Sequence, residues 1–161
     1  MLASTESTPT TVDEQYASTA DAPRLLLFGV GGRLCACELD AIREIVPYRQ
    51  ATRLPGAPPF VTGLINLRGS ILTVMDLGLR LGGSPIDPTR GSIVLAEAGP
   101  RVIGLGVDEL RDVQRVPRTQ IEPADGEIGS GLVSGVLQVG EDVAMLLDVR
   151  AIIKQIFGGN L

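Results

Sequence analysis

The sequence repeats itself, and this internal repeat limits the possible folds more than any other feature of the chain. Residues 25–45 align without a gap with residues 93–113, at an offset of 68. Further along, residues 63–77 align with residues 135–149, at an offset of 72. Self-similarity over such distances predicts two copies of one supersecondary unit that pack against each other.

Each copy has the pattern of short β-strands separated by Gly and Pro turns. In the first copy, residues 25–30 and 33–39 flank a Gly-Gly turn, and residues 40–47 form a third strand-like run closed by Pro. The apolar run 63–77 is interrupted in the middle by residues 66–70, which favours two strands joined at a tight turn over one buried helix. About five short strands per copy predict an all-β fold of two small five-stranded barrels.

The repeat also suggests how the chain is divided. Residues 1–23 are polar and almost free of apolar side chains, so we expect a flexible N-terminal tail followed by one domain over residues 24–161. Within it, the first barrel is expected mainly from residues 30–85 and the second mainly from 90–148, with the chain termini crossing between them. A short helix should follow the hairpin of each copy, and the last one should be a C-terminal helix that docks its apolar face on the core.

The composition excludes several classes of function. The chain has 161 residues, a net charge of −5 and no His. A nucleic-acid surface would need a basic patch, and the commonest general base and metal ligand are both missing. Neither a signal peptide nor an apolar run long enough to span a bilayer is present, so we expect a cytoplasmic protein without direct membrane insertion.

The few residues that could carry chemistry have simpler explanations. Cys35 and Cys37 point to one face of a strand and are interpreted as small buried hydrophobes, with a redox pair or half of a metal site as the alternative. Asp76 and Asp148 each precede a helix-like segment and are expected to cap it. No catalytic, metal or cofactor site is predicted, although a small enzyme using Cys35 or Asp76 stays open as a second hypothesis.

Arg68 is the most distinctive polar residue of the hairpin in the first copy. It lies at the tip of that hairpin, directly before a Gly that can adopt a positive φ. Glu44 could pair with it if the third strand lies nearby, and the pair would then orient the arginine. A solvated turn residue is the alternative. The second copy has Gly140 at this position, and this asymmetry favours a recognition role for Arg68.

The sequence resembles the CheW family, the coupling proteins of bacterial chemosensory arrays. The resemblance rests on residues 55–77, which contain the pattern Gly-x-x-Asn-Leu-Arg-Gly followed by Asp-Leu, and on residues 40–47 and 106–113. It extends over about residues 24–156. The resemblance implies two five-stranded SH3-like barrels and a non-enzymatic adaptor without a cofactor.

The resemblance also implies the partners and the location. One surface would bind the regulatory domain of a chemotaxis histidine kinase, and another would bind the cytoplasmic tip of chemoreceptors. The protein would be cytoplasmic and recruited to membrane-associated receptor arrays, with possible self-association there and no nucleic-acid partner. A structural array component that self-associates without contacting the kinase is the alternative.

Carried over by position, the resemblance implies five partner-binding residues. Arg68, Asn66 and Gly63 fall on the family's hairpin, whose arginine belongs to the receptor- and kinase-coupling surface. Ile42 and Glu44 fall on the neighbouring strand, where the acidic residue is the expected partner of that arginine.

Overall fold

The computed structural model describes residues 22–125 and 131–158. Nearly all of the predicted tail and most of the Gly-rich loop before Gly131 therefore lie outside the described residues. Eleven strands and two α-helices make up the described part of the chain, together with short 3-10 turns at Leu39–Ala41 and Arg118–Gln120. The elements are β1 (Arg24–Val30), β2 (Arg33–Glu38), β3 (Ile42–Pro47), β4 (Val61–Leu67), β5 (Ser70–Asp76), α1 (Leu77–Arg80), β6 (Ser92–Ala98), β7 (Arg101–Val107), β8 (Glu109–Arg115), β9 (Ile121–Pro123), β10 (Val133–Val139), β11 (Asp142–Leu147) and α2 (Val149–Phe157).

The structure carries the duplication that the sequence predicts. β1 and β2 recur as β6 and β7 at the 68-residue offset, and β4 recurs as β10 at the 72-residue offset. Even the irregularities repeat, because the pairing of β4 with β5 shifts register at Gly63, and the pairing of β10 with β11 shifts at Gly135. The two copies are therefore one supersecondary unit used twice.

Each sheet combines strands from both copies. One sheet has the order β9-β10-β11-β2-β1-β8 and the other has the order β3-β6-β7-β5-β4. Strands are exchanged between the copies through two parallel pairings, β5 with β7 and β11 with β2. This distribution differs from the expected division at residues 30–85 and 90–148, because the first hairpin of each copy pairs with the last strand of the other copy. The repeat alone does not specify that pairing.

The all-β prediction is confirmed, with one additional strand. The sixth strand, β9, is three residues long and pairs with β10. In the first copy the corresponding contact is a single bridge between Thr52 and Leu64. The two sheets therefore differ by one strand because the segment before β10 pairs with it over three residues, whereas the segment before β4 makes only one bridge.

Alternating side chains along the strands fill three apolar regions. In β1, Leu25 and Leu27 point into one barrel, whereas Leu26 and Phe28 point to the region between the barrels. β1 is therefore apolar on both faces, as a strand between two cores must be. The interior of the five-stranded barrel consists of Val46, Ile65, Leu67, Val74, Ile93 and Leu95.

Both helices begin as the sequence predicts. The carboxylate Oδ1 of Asp76 accepts the N–H of Leu79, and Oδ1 of Asp148 accepts the N–H of Ala151, each at 3.0 Å. These are N-caps that satisfy free donors of the first turn. α2 docks its apolar face on the core, where Ile152 is fully buried.

Candidate partner-binding site

The tip of the β4–β5 hairpin holds Arg68 in an unusual backbone conformation. Leu67 pairs with Ser70, so the loop consists of Arg68 and Gly69, with φ values of +52° and +88°. Positive φ at both positions is the type I′ turn that matches the twist of a two-residue hairpin. The sequence predicted this conformation for Gly69 only. Among the described residues, Arg68 is the one non-glycine residue with positive φ.

The side chain of Asn66 stabilises this turn. Its Oδ1 accepts the N–H of Gly69 at 3.0 Å, and its carbonyl oxygen accepts a hydrogen bond from Arg49 at 3.2 Å. An Asn side chain that bonds to the backbone of its own turn favours the tight geometry over alternatives. Asn66 therefore helps to keep a non-glycine residue in the left-handed region.

Glu44 fixes the guanidinium of Arg68 in a two-point contact. Nη1 lies 2.5 Å from Oε2 and Nη2 lies 2.9 Å from Oε1. The hydrogen bond from Arg68 lowers the pKa of Glu44, and the bond to Glu44 raises the pKa of Arg68. β3 and β4 are opposite edges of the sheet, so the pair joins two edges that the curvature of the barrel brings together.

The pair orients Arg68 without hiding it. The arginine side chain is 68% exposed, and the Glu44 side chain is 31% exposed. Exposed ion pairs contribute little to stability, but two parallel hydrogen bonds define a direction for the planar guanidinium. The predicted pairing of Glu44 with Arg68 is therefore present, and it leaves the arginine available at the surface.

Gly63 and Ile42 have different surroundings from the pair. Gly63 is buried, has φ +145°, and lies under the backbone of Thr52, whose carbonyl oxygen would be 2.1 Å from a Cβ at this position. It allows the loop before β4 to approach the strand closely. Ile42 is half-buried beside the core between the barrels. The partner contacts of both residues stay predictions.

A shallow depression of about 570 Å³ lies beside the pair, and sequence reasoning missed most of its lining. Ile71 is 60% exposed there, and the guanidinium of Arg101 lies 4.7 Å from the ring centre of Phe157. Arg43 lines it as well and pairs with Glu97 at 3.0 Å. The sequence did contain one signal for an exposed apolar residue beside the hairpin tip. Ile71 lies two residues after Gly69, and the other copy has Val143 at this position, which is equally exposed.

Cys35 and Cys37 lie in the core, as the sequence predicted. Both are fully buried within one apolar cluster between the barrels. Burial raises the pKa of Cys35 to about 12 and raises that of Cys37 as well. Thiolates, the nucleophilic form of cysteine, are therefore disfavoured at both positions. The described residues contain no group of three or more potential metal ligands, and no helix among them is long and apolar enough to cross a membrane.

The fold and the site together offer a surface for binding another protein, as an adaptor or scaffold requires. A rigid hairpin presents an oriented, exposed arginine beside a shallow depression that has an apolar edge. A family model described as CheW-like domain matches residues 24–157. The chain therefore belongs to the CheW family.

Individual relatives agree with this assignment. The probable chemotaxis protein CheW of Rhizobium etli is 34% identical over 136 residues, which cover 81% of this chain and 87% of the relative. The chemotaxis protein CheW of Rhizobium meliloti is 33% identical over 132 residues, covering 80% and 85%. The crystal structure of the scaffolding protein TtCheW from Thermoanaerobacter tengcongensis matches with a TM-score of 0.77 at 24% identity, covering 87% of this chain and 92% of that chain. This structural match shows the shared fold.

Proposed function

We propose that this chain couples chemoreceptors to a chemotaxis histidine kinase, without chemistry of its own. In this role it binds the cytoplasmic tip of the receptors and the regulatory domain of the kinase, and it is recruited from the cytoplasm to membrane-associated arrays. The observation that carries the proposal is the oriented, exposed guanidinium of Arg68, held by Glu44 and the Asn66 turn.

The geometry supports a recognition role for this arginine. A residue that only filled a turn would be easier to accommodate as Gly, and the second copy does have Gly140 there. The first copy instead keeps a non-glycine residue in a conformation that L-amino acids disfavour. Such strain at an exposed position, together with a dedicated carboxylate partner, supports selection for contact with another molecule.

Replacing Arg68 by Glu tests the proposal. The variant places two carboxylates together, and we expect affinity for the receptor tip or the kinase regulatory domain to fall roughly tenfold or more. Arg90→Glu makes the same charge change on an exposed loop and should bind both partners normally. Unchanged affinity of Arg68→Glu for both partners, measured by isothermal titration, would refute the assignment of this residue.

A charge swap separates contact from orientation. The double variant Glu44→Arg with Arg68→Glu restores an ion pair between the two strands but reverses its polarity. If partners read the positive charge, binding should stay weak in the double variant although circular dichroism shows a native fold. Recovery of normal binding would mean that the pair acts only by closing the barrel.

Sedimentation velocity distinguishes the coupling adaptor from a self-associating array component. We expect a complex with the kinase regulatory domain when the two proteins are mixed. If the chain forms only assemblies of itself and never sediments with that domain, the proposed coupling role is wrong.

A further inference from the structure

In the first copy of the repeat, a loop fills the space beneath the helix cap. Ile86 inserts its side chain into the core and is only 4% exposed, whereas Ser84, Pro85 and Asp87 stay at the surface. Two carboxylates hold this segment by its backbone. Oδ2 of Asp76 accepts the N–H of Ile86 at 3.0 Å, and Oδ1 of Asp108 accepts the N–H of Asp87 at 3.4 Å. The first copy therefore shows what this space accepts: an extended segment with a branched aliphatic side chain.

In the second copy, none of the residues 22–125 and 131–158 fills the equivalent space. The repeat offsets place Asp148 at the position of Asp76 and Asp40 at the position of Asp108. Both line a groove of about 780 Å³. α2 continues for nine residues where α1 ends after four, so up to Gly158 the chain does not turn back into this space as the first copy does.

The two carboxylates of the groove lack the donors that their counterparts have. Oδ1 of Asp148 accepts the helix N–H of Ala151, as in the first copy. Within residues 22–125 and 131–158, no donor bonds to its Oδ2, the atom equivalent to the one that holds Ile86. The side chain of Asp40 is exposed and likewise makes no hydrogen bond in that part of the chain. By the repeat alignment, these two acceptors stand at the positions that bind successive backbone N–H groups in the first copy.

One substitution between the copies restricts how a segment can enter. Gly78 in α1 lies against the carbonyl oxygen of Ser84, which would be 2.0 Å from a Cβ there. The second copy has Arg150 at this position, so an occupant cannot follow the path of Ser84. It can reproduce only the part that begins at the residue equivalent to Pro85.

The charge of the groove indicates its occupant. Its lining contains four carboxylates and two guanidiniums: Glu38, Asp40, Glu97, Asp148, Arg118 and Arg150. Arg43 pairs with Glu97 from outside the groove and Arg118 pairs with Glu38 at its edge, so the remaining lining charges are Asp40 and Asp148 against Arg150, a small acidic excess. Residues 1–21 of this chain contain four acidic residues and no Lys or Arg, so they have the wrong charge.

We propose that this groove docks an extended segment of a partner protein, in which a branched aliphatic residue is followed by a basic one. The aliphatic side chain would occupy the position equivalent to Ile86. Two successive backbone N–H groups would bond to Asp148 and Asp40, and the basic side chain would face the carboxylates of the rim. This site is separate from the Arg68 surface and does not depend on the coupling function.

A peptide derived from the filling loop tests the proposal. The probe is fluorescein-labelled Pro-Ile-Lys-Pro-Thr-Arg, which is the sequence of residues 85–90 with Lys in place of Asp87. Fluorescence anisotropy with the full chain should show saturable binding, with a Kd on the order of 100 μM for so small a contact. A probe with Ser in place of Ile should not bind measurably.

Isosteric variants locate the binding. Asp148→Asn keeps the Oδ1 cap of α2 but replaces the second acceptor with a donor, and we expect at least a tenfold loss of affinity. Asp40→Asn, at an exposed position with no part in the core, should lose several-fold. Asp112→Asn makes the same change on β8 outside the groove and should bind like the unchanged protein.

Three outcomes would overturn the proposal. The first is the absence of saturable binding up to millimolar probe, and the second is equal affinity for Asp148→Asn, Asp40→Asn and Asp112→Asn. The third concerns the chain's own N-terminus: if the probe binds only after residues 1–21 are removed, the tail is the occupant. Binding that is unaffected by this removal supports a partner segment.

Discussion

Replacing Gly63 by Ala separates a structural role from a contact role for this residue. The resemblance places Gly63 among the partner-binding positions, but in the structure it is buried under Thr52. The added methyl group would meet the Thr52 carbonyl oxygen at 2.1 Å and its carbon at 2.6 Å. Because both atoms are backbone, the loop must move away.

The cost of the substitution follows from two contributions. Two backbone hydrogen bonds of 2.8 Å connect Thr52 and Leu64, and both would be strained or lost, at about 1 kcal/mol each. Ala at a φ of +145° adds roughly 1–3 kcal/mol of backbone strain. We therefore expect the free energy of unfolding to fall by roughly 3–5 kcal/mol, a large fraction of the stability of a typical domain.

Urea unfolding followed by circular dichroism measures this change. Gly135→Ala is the matched control at the same position of the second copy. Its Cβ would meet the end of the Ile121 side chain at 2.7 Å and the Glu122 carbonyl oxygen at 3.0 Å. Gly135 does not have positive φ, so we expect a loss of only about 1–2 kcal/mol. Equal losses for the two variants would refute the reasoning.

Three further predictions concern Cys35 and the helix-capping aspartates. Cys35 should react with a thiol reagent only at the rate of unfolding, and reaction of the native protein within seconds would contradict its burial. Because burial raises the pKa of Cys35 to about 12, its contribution to stability should be complete below about pH 9 and decline as the pH rises toward 12, which alkaline unfolding titrations would show. Asp76→Ala should destabilise the protein by about 1–2 kcal/mol more than Asp148→Ala, because Asp76 accepts two backbone N–H groups and Asp148 accepts one; equal midpoints in chemical denaturation would contradict this.

The repeat made the local structure predictable. Once the two copies are aligned, a strand is predicted only where both copies show the same pattern of apolar and polar residues. An alternation that arises by chance in one copy is then not mistaken for a strand. The helix caps Asp76 and Asp148 and the buried positions Cys35 and Cys37 followed from such local patterns, and the structure confirms them.

The strand exchange and the open groove could not be predicted in this way. Sequence periodicity specifies which side of a strand is apolar, but a strand such as β1, apolar on both faces, does not reveal its neighbours. The pairing of β5 with β7 joins elements that are distant in sequence. The positive φ of Arg68 was missed because it follows from the strand register, in which Leu67 pairs with Ser70 and leaves Arg68 and Gly69 as a two-residue turn.

The exchange of strands between the copies has a consequence for synthesis. When the ribosome has made the first copy, β1 and β2 have no sheet to complete, because their neighbours β8 and β11 have not yet been made. The sheet that contains β3, β4 and β5 likewise cannot form completely until β6 and β7 have been made. Such long-range pairing slows folding and leaves strand edges exposed in the growing chain. Neither barrel is finished when half of the message has been read: the five-stranded barrel is complete only after β7 has been made, and the six-stranded one only after β11.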